Sequence, residues 1–197
     1  DLMETNHAKC EFYGEKAGDW SIVSKETKIS DLRDYTAYKV QFPECVHQCE
    51  NDTAENPVCS ICGKELYIKI IAKDTNSTTK TAYFTADSAL ENGYVEAVQT
   101  LNNWSNESCT EPTLILLRDI AYGTQLNLTG NLTIAGETHT ARNVTVAEDA
   151  NVTFASGSYS GAIINGTATV KEGVEFTTAT ITVNGTLNAE GGTFNGN

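Results

Sequence analysis

The sequence predicts a mainly β protein: a small Cys-rich and α+β N-terminal part leads into a right-handed parallel β-helix, or solenoid. Three observations predict it. From residue 123 onward the chain repeats itself in short segments: Asn131-Leu-Thr-Ile, Asn143-Val-Thr-Val and Asn151-Val-Thr-Phe are versions of one strand, and Ile164-Asn-Gly-Thr returns 19 residues later as Val183-Asn-Gly-Thr. Eleven of the 15 glycines lie in this stretch, and no helix-length pattern interrupts it. Charge changes with it: residues 1–84 hold ten of the 13 Lys and Arg, whereas residues 120–197 hold only Arg142 and Lys171. Self-similarity at about 20 residues with short β segments is the mark of a solenoid, in which no rung buries its apolar face alone and stacked rungs share one core.

The whole chain is acidic, with a formal net charge of -13 and a pI near 4.5. Such a chain repels phosphate backbones and anionic membrane surfaces, so nucleic-acid binding and electrostatic membrane attachment are disfavoured. No stretch approaches the ~18 consecutive apolar residues of a membrane span, which argues against direct membrane insertion. The opening Asp1-Leu2-Met3-Glu4 is not a signal peptide, so a leader has been removed or the chain is a fragment. The end, Gly191 to Asn197, reads as a boundary within a longer protein, because an uncapped rung exposes a strand edge.

Four segments follow in order. Residues 1–44 are β-rich: 35–42 alternates and ends at Pro43, and 19–23 is a second strand, with Trp20, Tyr35 and Tyr38 as core or strand-face residues. Residues 45–63 are a Cys/His zinc-ribbon-like segment. Residues 64–119 form a small α+β unit. Strands at 65–72 and 79–84 flank a turn at Asp74-Thr-Asn-Ser-Thr, and Thr85 N-caps a helix with Asp87 in its first turn. Leu90, Tyr94, Ala97, Val98 and Leu101 recur at helical spacing over about four turns, and Thr113 to Leu117 is a buried strand. Residues 120–197 are solenoid rungs, with Val144, Val146, Val152, Phe154, Ile163, Val170, Val174, Phe176, Ile181, Val183 and Leu187 pointing inward.

The chemistry concentrates in residues 45–63. Cys59-x2-Cys62-Gly63 places two thiolates one tight turn apart, and Gly63 can take the left-handed conformation that closes such a knuckle. Cys45, His47 and Cys49 stand upstream. Tetrahedral zinc takes four soft or borderline ligands, usually as two close pairs. Four of the five residues Cys45, His47, Cys49, Cys59 and Cys62 supply them, and spacing does not choose between His47 and Cys49. A structural zinc is therefore expected. Disulfides among the six cysteines are the alternative, and an all-cysteine zinc set leaves Cys10 and Cys109 as a pair. A catalytic zinc is disfavoured, because no His-Glu-x-x-His helix accompanies the ligands.

Cys45, His47, Cys59-Ser-Ile-Cys62-Gly63, Tyr83-Phe84-Thr85 and Leu116-Leu117-Arg118-Asp119, followed by solenoid rungs, resemble a pattern in large modular surface proteins of Gram-positive gut and oral bacteria. Cys49 and Cys109 depart from that pattern. The resemblance implies an extracellular, cell-surface-attached protein that acts as an adhesin or binds a host factor. One group in gut Lachnospiraceae is similar and binds immunoglobulin variable domains, superantigen-like, outside the antigen site.

A non-enzymatic binding module that recognises a host protein, with an immunoglobulin Fab as first candidate, is the function expected. Trp104 in Asn-Asn-Trp-Ser-Asn is its candidate contact, an exposed aromatic anchor. The alternatives are a polysaccharide-degrading or carbohydrate-binding β-helix protein and a structural stalk. Catalysis would need clustered carboxylates, yet Glu148-Asp149 and Lys171-Glu172 fall at turns where charge serves solvation, and Glu175 and Arg142 complete no fixed pair. The ten Asn-x-Ser/Thr sequons are glycosylation acceptors in a eukaryotic host. From Asn127 onward they are also ordinary turn-then-strand sequence.

Overall fold

A computed structural model describes residues 11–22, 35–41, 45–85, 93–120 and 125–195. The chain forms two compact units, 1–46 and 47–197. In the first, β1 (Glu11–Lys16) pairs antiparallel with β2 (Asp19–Ile22) and with β3 (Ala37–Gln41). Ala17 and Gly18, at φ 56° and 90°, make the two-residue turn between β1 and β2. Positive φ at both positions matches the strand twist of a tight hairpin. Gly14 is required on β1 because the Tyr35 ring lies where its Cβ would be, 2.3 Å away. The expected strands at 19–23 and 35–42 are thus present, while β1 carried no clear signal. Cys10 lies outside the described residues, as do the side chains of Trp20 and Tyr38.

In the second unit, the loop 47–65 leads into the hairpin β4 (Leu66–Lys73) and β5 (Thr79–Thr85). Its turn is held by Asp74, whose Oδ1 accepts hydrogen bonds from the N–H groups of Asn76 and Thr78, both at 2.8 Å. Helix α1 (Gly93–Asn106) follows, then β6 (Thr110–Leu116), antiparallel to β4. Among the described residues, the pairings of β6 with later strands and of those strands with one another are all parallel. The remaining strands are β7 (Leu126–Leu128), β8 (Asn131–Val146), β9 (Asn151–Ile164), β10 (Thr167–Val170), β11 (Val174–Val183), β12 (Thr186–Ala189) and β13 (Thr193–Asn195). They wind into a β-solenoid of about four turns, so the fold is the mainly β solenoid with a helix-bearing N-terminal part that the sequence predicts.

In-register stacking generates the core. Leu114, Ile134, Phe154 and Val170 form one inward column. Ile120, Ala141, Tyr159, Phe176 and Phe194 form a second, and Leu128, Val146, Ile164 and Val183 a third. The aromatic centre is tight: Phe154 meets Tyr159 edge-on at 4.8 Å and Phe176 at 5.4 Å. Such aromatic pairs contribute ~0.5–1.5 kcal/mol beyond their buried area. Helix α1 lays Tyr94, Ala97, Val98 and Leu101 onto the same core as Leu126, Leu128 and Leu132, and Asn102 Nδ2 donates to Thr129 Oγ1 at 2.8 Å. The helix therefore caps one end of the stack, which a solenoid needs to keep its first rung out of water. Hairpin, helix and rungs share one core, so the sequence boundaries at 63 and 119 fall inside one compact unit.

Details of the expected core change. Val144, Val146, Val152, Phe154, Val170, Val174 and Phe176 are buried as expected, and Ile181 and Leu187 are half-buried against the core. Ile163 is instead 42% exposed. Strand alternation sends Ala162 and Ile164 inward, which puts Ile163 outward between Thr145 and Thr182. Val183 keeps its inward column above Ile164 but is 44% exposed, for no rung covers it among the described residues. Thr85 is buried at the end of β5, paired with Leu66, and residues 86–92, where the helix it is expected to cap would begin, lie outside the described residues. Asp87 and Leu90 lie outside the described residues.

Candidate metal centre

Residues 45–65 have little regular structure, and local hydrogen bonds shape them. Gly63 N–H donates to the Cys59 carbonyl at 2.8 Å, with Gly63 at φ 73°, which closes the knuckle Cys59-Ser-Ile-Cys62. Cys59 N–H donates to the Lys64 carbonyl and Ser60 N–H to the Gln48 carbonyl, both at 2.8 Å. The second bond draws the upstream strand of the loop against the knuckle. Val58 and Glu65 then pair as an isolated bridge leading into β4.

This geometry gathers Cys45, His47, Cys59 and Cys62, whose ligand atoms all lie within 4.8 Å of one another. Cys45 reaches the group through the Cys45-Val46-His47 tripeptide, so the local chain sets its place. Cys62 Sγ lies 3.5 Å from His47 Nδ1. With metal–sulfur and metal–nitrogen bonds of ~2.3 and ~2.0–2.1 Å, a tetrahedral sulfur–nitrogen edge comes to about 3.6 Å. The donors present therefore fit a metal ion. Cys49 is not one of them. Its half-buried thiol lies outside the group and close enough to Tyr83 to act on that phenol electrostatically. Of the two residues that spacing leaves equal, the group takes in His47 and leaves out Cys49. The pattern Cys-x-His then Cys-x2-Cys carries this grouping in the sequence, beside an equal-looking Cys-x3-Cys.

Cys59 is buried at the centre of the knuckle. Burial pushes its thiol up, but the N–H groups of Cys62, Gln48 and Ile61 and the His47 side chain outweigh burial and bring it down to about 6. N–H groups aimed at sulfur favour the thiolate, the form that binds metal. No disulfide joins Cys45, Cys49, Cys59, Cys62 or Cys109, so the disulfide alternative finds no pair among the described residues. Cys109 is buried beside the end of α1.

The other expected site residue, Trp104, sits on α1 rather than in a loop. It is half-buried against the core, and Lys80 Nζ lies 5.7 Å from its ring centroid. Lys80 is shared with Glu107, at 2.8 Å, which holds the ammonium above its usual range. The rung carboxylates are dispersed. Glu175 accepts from Asn195 Nδ2 at 2.9 Å, Glu190 pairs with Lys171, and Glu148 and Asp149 occupy a turn. Among the described residues no helix is long and apolar enough to cross a membrane. Compared with protein-family models, with curated proteins and with solved structures, the chain matches none.

Proposed function

We propose that the chain is a non-enzymatic, extracellular binding module of a bacterial surface protein, built around a structural zinc site. Its partner is a host protein, with an immunoglobulin Fab the first candidate. The observation that carries this reading is the closed donor set on a rigid scaffold. Three cysteines and a histidine fill a tetrahedral zinc with no position left for substrate, which is the composition of a structural site rather than a catalytic one. When bound, the zinc supplies cross-linking of the loop. Recognition then falls to side chains displayed on the rungs and on α1. A rigid unit of this size can supply the ~800 Å² per partner that specific complexes bury. Its negative charge favours a partner patch containing Arg or Lys. Biolayer interferometry of the chain against pooled human Fab and a serum-protein panel tests the reading. Binding below ~10 μM supports it, and failure of every panel member removes it in favour of a stalk.

A second reading, carbohydrate binding, rests on a shallow open groove lined by Gln125, Asn143, Thr145, Ile163, Thr180 and Thr182. Its uncharged amides and hydroxyls around an apolar floor suit a neutral saccharide. A glycan array separates this from protein recognition.

A further inference from the structure

The loop that carries the metal ligands also lies across one face of the β4–β5 hairpin, and its contacts there are ionic and aromatic. Asp52 Oδ2 accepts from Lys69 Nζ at 2.5 Å and from Tyr83 OH at 2.9 Å. Lys69 lies on β4 and Tyr83 opposite it on β5. Further along the loop, Arg118 Nη1 donates to Asn56 Oδ1 at 2.9 Å and lies 3.3 Å from Glu65 Oε1. The Arg118 guanidinium also sits over the Tyr67 ring, 5.7 Å from its centroid. Arg118 stands two residues after the end of β6, the strand that begins the solenoid. Lys69 and Arg118 retain only 23% and 15% side-chain exposure under the loop.

We infer that residues 47–65 are a metal-latched strap: the bound metal closes the loop, and the closed loop covers a cationic and aromatic face made by Tyr67, Lys69, Tyr83 and Arg118. The inference rests on the zinc reading above. The loop has few apolar anchors: Val58 is 46% exposed and Ile61 half-buried, and Pro57 and Cys59 are its buried residues. A loop of this kind has little hydrophobic reason to stay closed, so the ligand cross-link and the contacts of Asp52 and Asn56 must hold it together. Coupling of this kind is reciprocal. Metal binding presets Asp52 against Lys69 and Tyr83, and those contacts preset the ligands for metal. When the metal leaves, the strap opens and the β4–β5 face becomes accessible, while the solenoid rungs, whose core does not include the loop, remain closed.

The test uses the full chain in its zinc-loaded and chelator-stripped forms. Hydrogen exchange of the stripped protein should lose protection across 47–65, and amine labelling of Lys69 should rise several-fold, with rungs 131–170 unchanged. In a chromophoric-chelator competition, Asp52→Asn should weaken zinc binding about tenfold, within the 5–150-fold range typical of site-to-site coupling. Tyr83→Phe, which removes one hydrogen bond and keeps the ring, should weaken it less. A wild-type chain that binds zinc but shows unchanged exchange in 47–65 on stripping, or Asp52→Asn with wild-type zinc affinity, overturns the strap alone. A wild-type chain that binds no zinc overturns the strap and the zinc reading together.

Discussion

Phe194 stacks on Phe176 with ring centroids 5.4 Å apart and planes 2° from parallel. Phe176 in turn lies 5.6 Å from Tyr159, so three successive rungs place an aromatic ring at one register position. Phe176 is 1% exposed and Phe194 40%, which makes Phe176 the last fully enclosed member of the column. Phe176→Ala should cost ~3–5 kcal/mol, the usual cost of removing a buried phenyl ring. Phe176→Asp should cost more, because the carboxylate would lie among Phe154, Tyr159 and Phe194 without a partner. Phe194→Ala should cost far less, since much of that ring faces solvent. Thermal melts of the three variants check the order, and an unchanged midpoint for Phe176→Asp would refute the column.

Gly157 belongs to a corner where two rungs touch through their backbones. It sits at φ 96°, and a Cβ there would meet Gly136 Cα at 2.5 Å. Gly157→Ala therefore combines a left-handed backbone, at ~1–2 kcal/mol for an L-residue, with a clash that only backbone movement relieves. We expect a loss of at least that size in urea denaturation. Gly173→Ala has a similar φ of 84° but open space around it, and should cost only the conformational part. Equal losses at the two positions would show that the clash contributes nothing.

Much of this architecture was legible because stacking repeats it. Of the three Asn-x-Thr segments, those at Asn131 and Asn151 became the starts of β8 and β9, and that at Asn143 lies further along β8. The two Asn-Gly turns stack so that Asn184 Nδ2 donates to Asn165 Oδ1 at 2.8 Å. What stayed illegible is what periodicity cannot encode. In Ala162-Ile163-Ile164 either isoleucine satisfies an alternating pattern, and only the register with Thr145 and Val146 decides. His47 and Cys49 offer equal chemistry by spacing, and the fold turns only His47 toward the knuckle. The pairing of Asp52 with Lys69 and Tyr83 joins residues 17 and 31 positions apart, and no local signal marks it.

Acid and alkali should act on different groups. The Lys69 hydrogen bond, aided by that of Tyr83, outweighs burial and holds the Asp52 carboxyl below its usual range. Its stabilising contribution is then full above the ordinary carboxylate value of ~4 and is lost as pH falls through the lower folded value. Tyr94 behaves oppositely. Burial, assisted by Tyr67, pushes it up to about 12, so the native state resists ionisation. Its contribution is full below the free phenol value of ~10 and is lost between there and about 12. Urea midpoints measured across pH should fall at both extremes. Asp52→Asn should flatten the acid limb only. If it flattened neither limb, the Lys69–Asp52 pair would have no energetic role.

The ligand assignment separates Cys49 from His47, two residues that the sequence treats alike. Zinc content of the purified full chain should be about one per molecule. Cys49→Ser should keep that content, since its thiol stands outside the four-donor group. His47→Ala and Cys62→Ser each remove one donor. Cys62→Ser additionally removes the Sγ that faces His47 Nδ1 at 3.5 Å. Both should weaken zinc binding by at least the 10–100-fold seen when even a supporting partner of a metal ligand is lost. Affinity in both variants and in the wild type should fall with acid, because protons compete for thiolates and imidazole. Elemental analysis and chelator competition decide. If Cys49→Ser loses its zinc while His47→Ala keeps it, the metal is bound by four cysteines and the histidine assignment is wrong.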